Sequence, residues 1–563
     1  MMLPALTIIP AGAGSGKTYT IQQQLGEWVV AGLIAPERIV AVTFTEAAAA
    51  ELRERIRGKL LSLGRLEEAL KLDQAYISTI HGFGLRLLTE FAFDAGLSPR
   101  PRLLNEDEEN TLIRLALART EKADVITSDL ARFGYSFDFN SQKSAEEGFR
   151  DDLLRIETLL RSAGWSEESD SYAAFAADWI RERYGVTGDG DQLTARLQQA
   201  ASRLLEAFPE NLSREFGNSA TASKEFQRDY RNLRAAATGD GLNTDWKLWK
   251  ELRALRKSKR GCQLPDGYDK LADAVIEAAD ALPTHPGPRE QAVLHIESLI
   301  AAGQEVLVYY AQAKREAGLV DYGDMIAMAA DMLRNRPEGL NTLAQRIDCL
   351  VVDEFQDTNP LQFALLWQLK DAGVPTVTVG DLKQAIMGFQ GADPRLFDAL
   401  IQQNQDVAKP LTSNWRSQPT LMHFINAVGP GLFGDEYVPL APQGATSSQE
   451  PIELIDFPVK AKKGQHAVRA LSVGDRLQVM LKDPTQQIRD RRTKQLRRLR
   501  GGDIAVLCPT HRMLADYADV LRAMGLRVRL QEDGWHASRV VQLACQAMAY
   551  VANPTDRHAA LYL

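Results

Sequence analysis

Three features of the sequence predict an α/β fold with a parallel sheet that a large helical domain interrupts. Four short apolar runs, at 6–9, 39–43, 349–352 and 376–379, lack alternating polar residues, which is typical of strands buried on both faces. Apolar residues at helical spacing follow the first two runs, at 19–30 and 46–63. Residues from about 86 to 304 are almost entirely helical in pattern, so the chain leaves the predicted sheet and returns to it.

A glycine-rich loop joins the first predicted strand to the first predicted helix. It consists of Ala11, Gly12, Ala13, Gly14, Ser15, Gly16, Lys17 and Thr18, with alanine where the strict pattern has its first glycine. Such a loop turns backbone N–H groups toward a phosphate, and the start of the helix adds partial positive charge. Lys17 would reach the β- and γ-phosphates, and the Thr18 hydroxyl would hold Mg²⁺. The loop predicts a nucleoside triphosphate site; the alternative is a glycine-rich turn with a chance lysine.

Acidic residues follow the third predicted strand. In open α/β sheets, ligands bind beyond the carboxyl ends of the strands, where Asp353 and Glu354 lie. Asp353 would hold Mg²⁺, directly or through water, and Glu354 would orient and deprotonate the attacking water. A solvated acidic loop is the alternative, and the glycine loop makes a hydrolase site the stronger interpretation.

An ordered series of motifs resembles the UvrD/Rep-type superfamily 1 DNA helicases, most closely the RecB/AddA branch. The motifs lie at 11–18, 43–52, 78–83, 321–325, 353–360, 380–386 and 414–417. The resemblance spans residues 3 to 563 and is weak between about 100 and 300. It implies RecA-like motor lobes with helices on both faces of each sheet. By this resemblance, residues 1–85 and 305–410 form the first lobe, 86–304 a helical insertion, and 411–563 the incomplete start of a second lobe.

The resemblance also implies roles for individual residues. Gln384 would sense the γ-phosphate, Arg416 would contact it from the second lobe, and Trp415 would stack on the adenine. The residues implied to contact single-stranded DNA are Thr43, Phe44, Thr45, His81, Phe83 and Phe389. Aromatic faces accept any base, at about 1–3 kcal/mol per stacked base. Phe44 and Phe83 could equally be core aromatics, and His81 a hydrogen-bonded core histidine.

The sequence also departs from the family pattern. Met387 and Gln390 stand where relatives commonly have tyrosine and arginine, which weakens stacking and charge in the DNA groove. The adenine-recognising glutamine segment is absent, since only sixteen residues precede Lys17. Residues 500–563 are expected to start the second lobe, with strands at 503–507 and 526–530 and helices at 513–524 and 538–551. The last two motifs, with the arginine finger, are not found, so we expect a fragment of a longer protein.

Composition and charge limit the possible partners. The net charge is −8, so DNA binding would depend on a local groove rather than on a global basic field. Two basic segments are candidates: 246–260 could contact duplex DNA or be a packed helix with a solvated face, and 489–500 could grip phosphate or be a solvated linker. Four cysteines without paired metal spacing favour a reducing cytoplasm, with Cys349 and Cys508 in core strands. No run of eighteen apolar residues indicates a membrane span.

The sequence therefore predicts an ATP-dependent translocase or helicase for single-stranded DNA, with Mg²⁺ as cofactor. The 3′ to 5′ direction is implied only by the resemblance, as are DNA repair, recombination or anti-phage defence as settings. Expected partners are single-stranded DNA, junctions of single- and double-stranded DNA, and a nuclease or other repair or defence protein. One alternative is a nucleotide-switched DNA-binding subunit with little ATPase that works with a partner chain. The other is a P-loop enzyme unrelated to DNA, such as a small-molecule kinase.

Overall fold

The computed structural model describes residues 3–91, 102–138, 143–164, 171–217, 219–239, 241–258, 263–434, 437–446, 452–455, 465–490, 493, 495–530 and 539–552. The chain divides into two compact units, residues 1–446 and 447–563, which are described separately below. The predicted boundaries near 85, 305 and 411 are not tested by this division and stay predictions.

The strands and helices are numbered in chain order. The strands are β1 Leu6–Pro10, β2 Ile39–Thr43, β3 Tyr76–Thr79, β4 Arg102–Leu103, β5 Leu319–Val320, β6 Cys349–Val352, β7 Thr376–Gly380, β8 Ser413–Asn414, β9 Ala441–Pro442, β10 Gln487–Arg489 and β11 Leu496–Arg498. The helices of the first unit are α1 Lys17–Val30, α2 Glu46–Ser62, α3 Leu66–Lys71, α4 Ile80–Glu90, α5 Glu106–Leu117, α6 Asp124–Thr127, α7 Ala145–Ser162, α8 Ser171–Tyr184, α9 Gly190–Ala207, α10 Ser213–Phe216, α11 Ala220–Thr238, α12 Trp246–Leu252, α13 Tyr268–Ala279, α14 Pro286–Ala317, α15 Tyr322–Asn335, α16 Pro337–Gln345, α17 Pro360–Asp371, α18 Pro394–Gln403 and α19 Pro419–Phe433. Those of the second unit are α20 Gln465–Lys482, α21 His511–Ala523 and α22 Arg539–Ala552.

Five parallel strands form the central sheet of the first unit, in the order β1-β7-β6-β2-β3. The four predicted strands are all present, and the α/β prediction is confirmed. β3 is an addition, paired with β2 from Val40 beside Tyr76 to Thr43 beside Thr79. This order sets β7 and β6 between β1 and β2, so the loops that follow β1, β6 and β7 meet at one edge of the sheet.

Alternate strand residues enter two hydrophobic cores, one on each face of the sheet. Ile8, Val40 and Val352 pack in one core with residues of α4, α15 and α17. Ile9 and Val351 pack in the other with residues of α1 and α2. This alternation follows from the two-residue period of a strand, and it explains why the runs are apolar throughout. Truncating one such buried leucine or isoleucine to alanine costs about 2–5 kcal/mol.

Helix α2 shows how the local sequence produces the second core. The Thr45 hydroxyl accepts a hydrogen bond from the Ala48 N–H and starts the helix. The predicted apolar face is present at Leu52, Ile56 and Leu60, each at most 1% exposed, whereas Leu63 lies just past the end of the helix and is 41% exposed.

Residues 407–411 extend the sheet beside β1. Lys409 donates its backbone N–H to the Ile8 carbonyl at 2.7 Å, and Leu411 donates to the Pro10 carbonyl at 2.9 Å. The backbone approaching β8 is therefore fixed along the strand that leads into the glycine loop.

The helical insertion has its own cores and is joined to the sheet lobe by a buried ion cluster. Asp321, the N-cap of α15, contacts Lys314 at 2.6 Å and Arg161 of α7 at 3.0 Å. Burial opposes ionisation, but these two cations hold the pKa of Asp321 at about 2. The acidic motif at 321–325 thus fastens α7 and α14 to the lobe.

Helix α14 is long and apolar enough, by length and composition, to cross a membrane. The expectation of no such segment was wrong in that limited sense, because the sequence pattern is interrupted only by scattered polar residues. The helix packs against α5, α7 and α8, and 44% of its most apolar window is buried. A core helix passes the same test, so this is weak evidence for a membrane span.

Several expectations outside the sheet lobe were wrong. Residues 503–507 and 526–530 are not strands, because neither is paired with another strand in the described part of the chain. Cys508 is half-exposed rather than buried, whereas Cys349 is buried as expected. The basic run at 489–500 is a hairpin of β10 and β11 rather than a linker, and Arg497 pairs with Asp490 at 2.8 Å and Asp503 at 2.7 Å.

The basic segment at 246–260 is also different from the predicted DNA-binding helix. The helix α12 ends at Leu252, and the cations after it are paired within the insertion. Arg253 contacts Asp280 at 2.7 Å, Lys257 contacts Asp273 at 2.7 Å, and Arg256 pairs with Glu225. Arg260 lies outside the described residues. The packed-helix alternative fits this arrangement better than contact with duplex DNA.

We therefore expect the double variant Arg253→Ala/Arg256→Ala to leave the salt dependence of DNA binding unchanged. Cations already paired with carboxylates release few counterions when DNA binds. The measurement is the slope of log affinity against log salt for an oligonucleotide, beside the wild type. A slope reduced by about one or more would restore the DNA-contact hypothesis for this segment.

Candidate active site

The glycine loop after β1 has the conformation that its sequence predicts. Gly14 and Gly16 adopt φ of 76° and 94°, a region that other residues rarely occupy. Among the described residues, Ala11 is not one of those with positive φ, so alanine in place of glycine carries no backbone strain there. Ala11 also donates its N–H to the Gly380 carbonyl at 2.8 Å, which ties the loop to the end of β7.

The loop fits a phosphate group. The Ser15 side chain is 5% exposed, and its hydroxyl has no hydrogen-bond partner among the described residues. Gly16 is the N-cap of α1 and supplies no side chain to the first N–H groups of that helix. Buried polar groups are normally hydrogen-bonded, so this hydroxyl and these N–H groups are suited to phosphate oxygens.

Lys17 and Glu354 form an ion pair across the candidate site. The Lys17 Nζ lies 2.6 Å from the Glu354 Oε2, and the two side chains are 12% and 32% exposed. Residues predicted separately, one as a phosphate ligand and the other as a base, are thereby in direct contact. Because each has one strong charge, a phosphate at Lys17 would compete with the Glu354 carboxylate for the ammonium.

Asp353 ends β6 beside this pair. Its carboxylate accepts the Glu354 N–H at 3.0 Å. Burial, and then the nearby negative charge of Glu354, raise the pKa of Asp353 to about 6. Thr18, the other predicted Mg²⁺ ligand, is half-exposed in the first turn of α1. A carboxylate and a hydroxyl are hard oxygen donors that fit Mg²⁺, which keeps most of its remaining ligands as water or phosphate.

The raised pKa predicts that Mg²⁺ binding at Asp353 weakens in acid. The proton and the cation compete for one carboxylate, so affinity falls as the pH drops through about 6. From about pH 7.5 to about pH 5.5 the ionised fraction falls roughly four-fold, and we expect a similar fall in apparent Mg²⁺ affinity. The measurement is the Mg²⁺ dependence of nucleotide binding at each pH, corrected by titrating the nucleotide alone. A corrected affinity that does not change with pH would contradict the assignment.

The segment after β8 lies against the glycine loop. The Asn414 Nδ2 donates to the Ala13 carbonyl at 2.7 Å, and the Trp415 N–H donates to the Gly14 carbonyl at 2.9 Å. Asn414 is 3% exposed, and its Oδ1 accepts the N–H groups of Arg416 at 3.0 Å and Ser417 at 2.8 Å. This buried amide therefore holds Trp415 and Arg416 at the site where the motif predicted them.

Two aromatic side chains flank the end of the loop. Trp415 is 65% exposed and Tyr19 is 61% exposed. Both approach Gly16, since a Cβ atom there would lie 3.9 Å from the Trp415 Cδ1 and 4.0 Å from the Tyr19 Cβ. The sequence analysis missed Tyr19 and gave Asn414 no role. The signals were an aromatic directly after Thr18 and the residue that opens the motif at 414.

Gln384 follows β7, the neighbour of both β1 and β6. Its Nε2 donates to the Asp381 carboxylate at 2.8 Å, and Lys383 Nζ contacts the same side chain at 2.9 Å. Asp381 is 4% exposed, so Gln384 is fixed at the edge of the sheet that also carries Asp353 and Glu354.

The residues predicted to contact DNA differ in exposure. Phe389 is 68% exposed in a turn after β7, which suits a stacking surface. Phe83 is completely buried and packs edge-on against Tyr76 at 5.8 Å between ring centres. Because a ring without exposed surface offers no face to a base, we remove Phe83 from the DNA contacts; the core-aromatic alternative holds.

The remaining four residues lie between these extremes. Thr43 is 1% exposed, and its hydroxyl has no partner among the described residues, while Phe44 is half-buried. Thr45 is exposed but caps α2. His81 is half-buried against Tyr322, and burial lowers its pKa below the usual value, opposed by Asp321. Contact with DNA stays a prediction for these residues and for Phe389.

The parallel sheet, the glycine loop before α1 and the acidic pair after β6 define a P-loop nucleotide-binding lobe of the RecA-like kind. The UvrD/REP helicase N-terminal domain family matches residues 4–405. The chain belongs to this family, as its motifs predicted.

The curated relatives are named as one of the subunits of an ATP-dependent helicase/nuclease. The protein of that name from Levilactobacillus brevis is 25% identical over 638 residues, covering 97% of this chain and 49% of the relative. The one from Lactobacillus gasseri is 25% identical, covering 89% of this chain and 47% of the relative. The one from Syntrophomonas wolfei is 26% identical, covering 76% and 37%. The chain spans about half the length of the curated relatives it matches.

Proposed function

We propose that this chain binds ATP and Mg²⁺ at the glycine loop and uses ATP hydrolysis to move along single-stranded DNA. The observation that carries the proposal is the meeting of Lys17, Glu354 and Gln384 at one sheet edge, with the exposed Phe389 on the loop that follows Gln384. Lys17 and the loop N–H groups would hold the phosphates, Asp353 and Thr18 would hold Mg²⁺, and Glu354 would take the proton of the attacking water.

The proposal extends to setting and partners through the names of the relatives. Proteins named as part of a helicase/nuclease support a DNA repair or recombination role in the cytoplasm, anti-phage defence being the other setting, with a nuclease activity and a second protein chain as partners. We further propose 3′ to 5′ movement, loading at junctions of single- and double-stranded DNA, and a second RecA-like lobe that begins near residue 411. The proximity of Trp415 and Arg416 to the glycine loop supports that boundary.

The test is ATP hydrolysis by the purified chain with and without single-stranded DNA. Strong stimulation by the oligonucleotide is the expected result. Binding of both ligands without turnover would instead support a nucleotide-switched DNA-binding subunit. Turnover that ignores DNA would favour a P-loop enzyme with another substrate.

Replacing Phe389 with alanine should weaken single-stranded DNA binding without destabilising the fold. The exposed ring contributes little packing, while a stacked base is worth about 1–3 kcal/mol, or roughly 5- to 150-fold in affinity. Binding of an oligothymidylate and the thermal unfolding midpoint are the measurements. Phe137→Ala, which removes a 47% exposed ring from the insertion, is the control. Equal affinity in both variants would exclude Phe389 from the DNA path.

A further inference from the structure

Gln356 is a buried amide that uses both of its ends at the candidate site. The residue is only 1% exposed. The Nε2 donates to the Glu354 Oε2 at 3.0 Å and to the Asp357 Oδ2 at 3.2 Å, while the Oε1 accepts the backbone N–H of Asp381 at 2.9 Å. One side chain therefore joins the acidic turn after β6 to the loop after β7.

The backbone around this amide is shaped to admit it. A Cβ atom on Gly380 would lie 2.8 Å from the Gln356 Oε1 and 2.9 Å from the Phe397 ring. Only glycine leaves room for the amide to reach the Asp381 N–H. Glu354 itself has φ of 53°, the one non-glycine residue with positive φ in the described ranges. The carboxylate position is thus determined by neighbouring contacts rather than by the backbone's own preference.

The contacts continue from Asp381 to the exposed end of the same loop. The Asp381 carboxylate accepts from Gln384 at 2.8 Å, and the chain then reaches the exposed Phe389. Gly391, with φ of 80°, lies tightly against Ser162 at the end of α7, so a Cβ atom there would meet the Ser162 side chain. A displacement of this loop by a bound strand would move the Asp381 N–H, and with it the amide that holds Glu354.

We propose that Gln356 is a positioning residue that couples the carboxylate of Glu354 to the loop at 381–391, so that occupancy of the exposed loop controls ATP turnover. The inference rests on the proposed function. Its physical basis is that the amide separates two carboxylates by donating to both, and a small displacement of a reacting group costs much of its rate. Gln356 has no need to touch ATP in this role.

Gln356→Met tests the role, because methionine has a similar length and donates no hydrogen bond. We expect the kcat stimulated by oligothymidylate to fall roughly 10- to 100-fold, with the KM for ATP and the Kd for oligothymidylate changed less than about three-fold. Gln368→Met is the matched control, since Gln368 is half-buried on α17 and donates to the Ala330 carbonyl at 3.0 Å. Its kinetics should be those of the wild type.

Gln356→Glu adds a readout that loss of packing would not produce. The carboxylate accepts where the amide donated and repels Glu354 and Asp357, whereas its protonated form can donate again. Activity relative to the wild type should therefore rise as the pH is lowered. A flat ratio across pH would contradict the donor role.

The outcomes separate this inference from the proposed function. A wild-type chain that oligothymidylate neither binds nor stimulates would contradict the proposed function. A wild-type kcat in Gln356→Met would overturn only the role of Gln356. If the wild type binds ATP without turnover, the comparison is made on the ratio of oligothymidylate Kd values with and without a non-hydrolysable ATP analogue. Equal ratios in wild type and Gln356→Met would then overturn the coupling.

Discussion

Glu354→Gln should lower ATP turnover by about 10²–10⁴-fold, the usual contribution of a positioned general base. The same change should tighten ATP binding, because the neutral amide no longer holds Lys17 as an ion pair at 2.6 Å. Lys17 is then available to the phosphates without first separating from a charged partner. The measurements are steady-state turnover with single-stranded DNA and the Kd of a fluorescent ATP analogue.

Glu338→Gln is the control, since Glu338 is exposed on α16 and lies in none of the motifs. It should change neither quantity. Turnover retained in Glu354→Gln would exclude Glu354 as the base. Lost turnover with weakened binding would mean that Glu354 mainly supports the shape of the site.

Gly14→Ala should weaken nucleotide binding roughly 10- to 100-fold, from about 1–3 kcal/mol of strain placed in the phosphate loop. Two effects combine at this position. The φ of 76° is unfavourable for alanine, and the new Cβ would lie 2.7 Å from the Arg416 Cβ and 2.8 Å from the Asn414 Nδ2. The loop or the segment at 414–416 must move, and both belong to the proposed site.

Gly32→Ala separates the two effects. Gly32 has a similar φ of 67°, but a Cβ there would have nothing within 4 Å. It should lower the thermal unfolding midpoint slightly and leave nucleotide affinity unchanged. Equal nucleotide affinity in Gly14→Ala and the wild type would show that the loop tolerates displacement and that its close approach to Asn414 is unimportant for binding.

The sheet was predictable where one strand's own sequence carried the information. β1, β2, β6 and β7 are apolar at nearly every position because both faces are covered, and the loops after β1 and β6 have distinctive compositions. β3 was missed as a strand because Tyr76 and Ser78 are only half-buried at the sheet edge. The pairing of residues 407–411 with β1 depends on contacts between segments far apart in the sequence, which no local pattern reports.

Side-chain environment was harder to predict than position. Phe83 and Phe389 both lie in motifs that the family places near DNA, yet the first is core and the second is 68% exposed. The difference arises because Phe83 faces α15 from within α4, whereas Phe389 lies in a glycine-flanked turn. Gln356 and Asn414 escaped notice for a related reason. Their value is in hydrogen bonds to Asp381 and Ala13, partners that only the folded chain brings near.

The left-handed backbone at Glu354 has a consequence for how this lineage can lose its activity. A non-glycine residue in that region costs about 1–2 kcal/mol, a penalty that glycine avoids. Glycine at 354 would therefore relieve strain while removing the carboxylate, so inactivating drift at this codon meets no structural resistance. A descendant that keeps glutamate there against this gradient does so because selection acts on turnover, and the residue at 354 reports whether a relative still works as a motor.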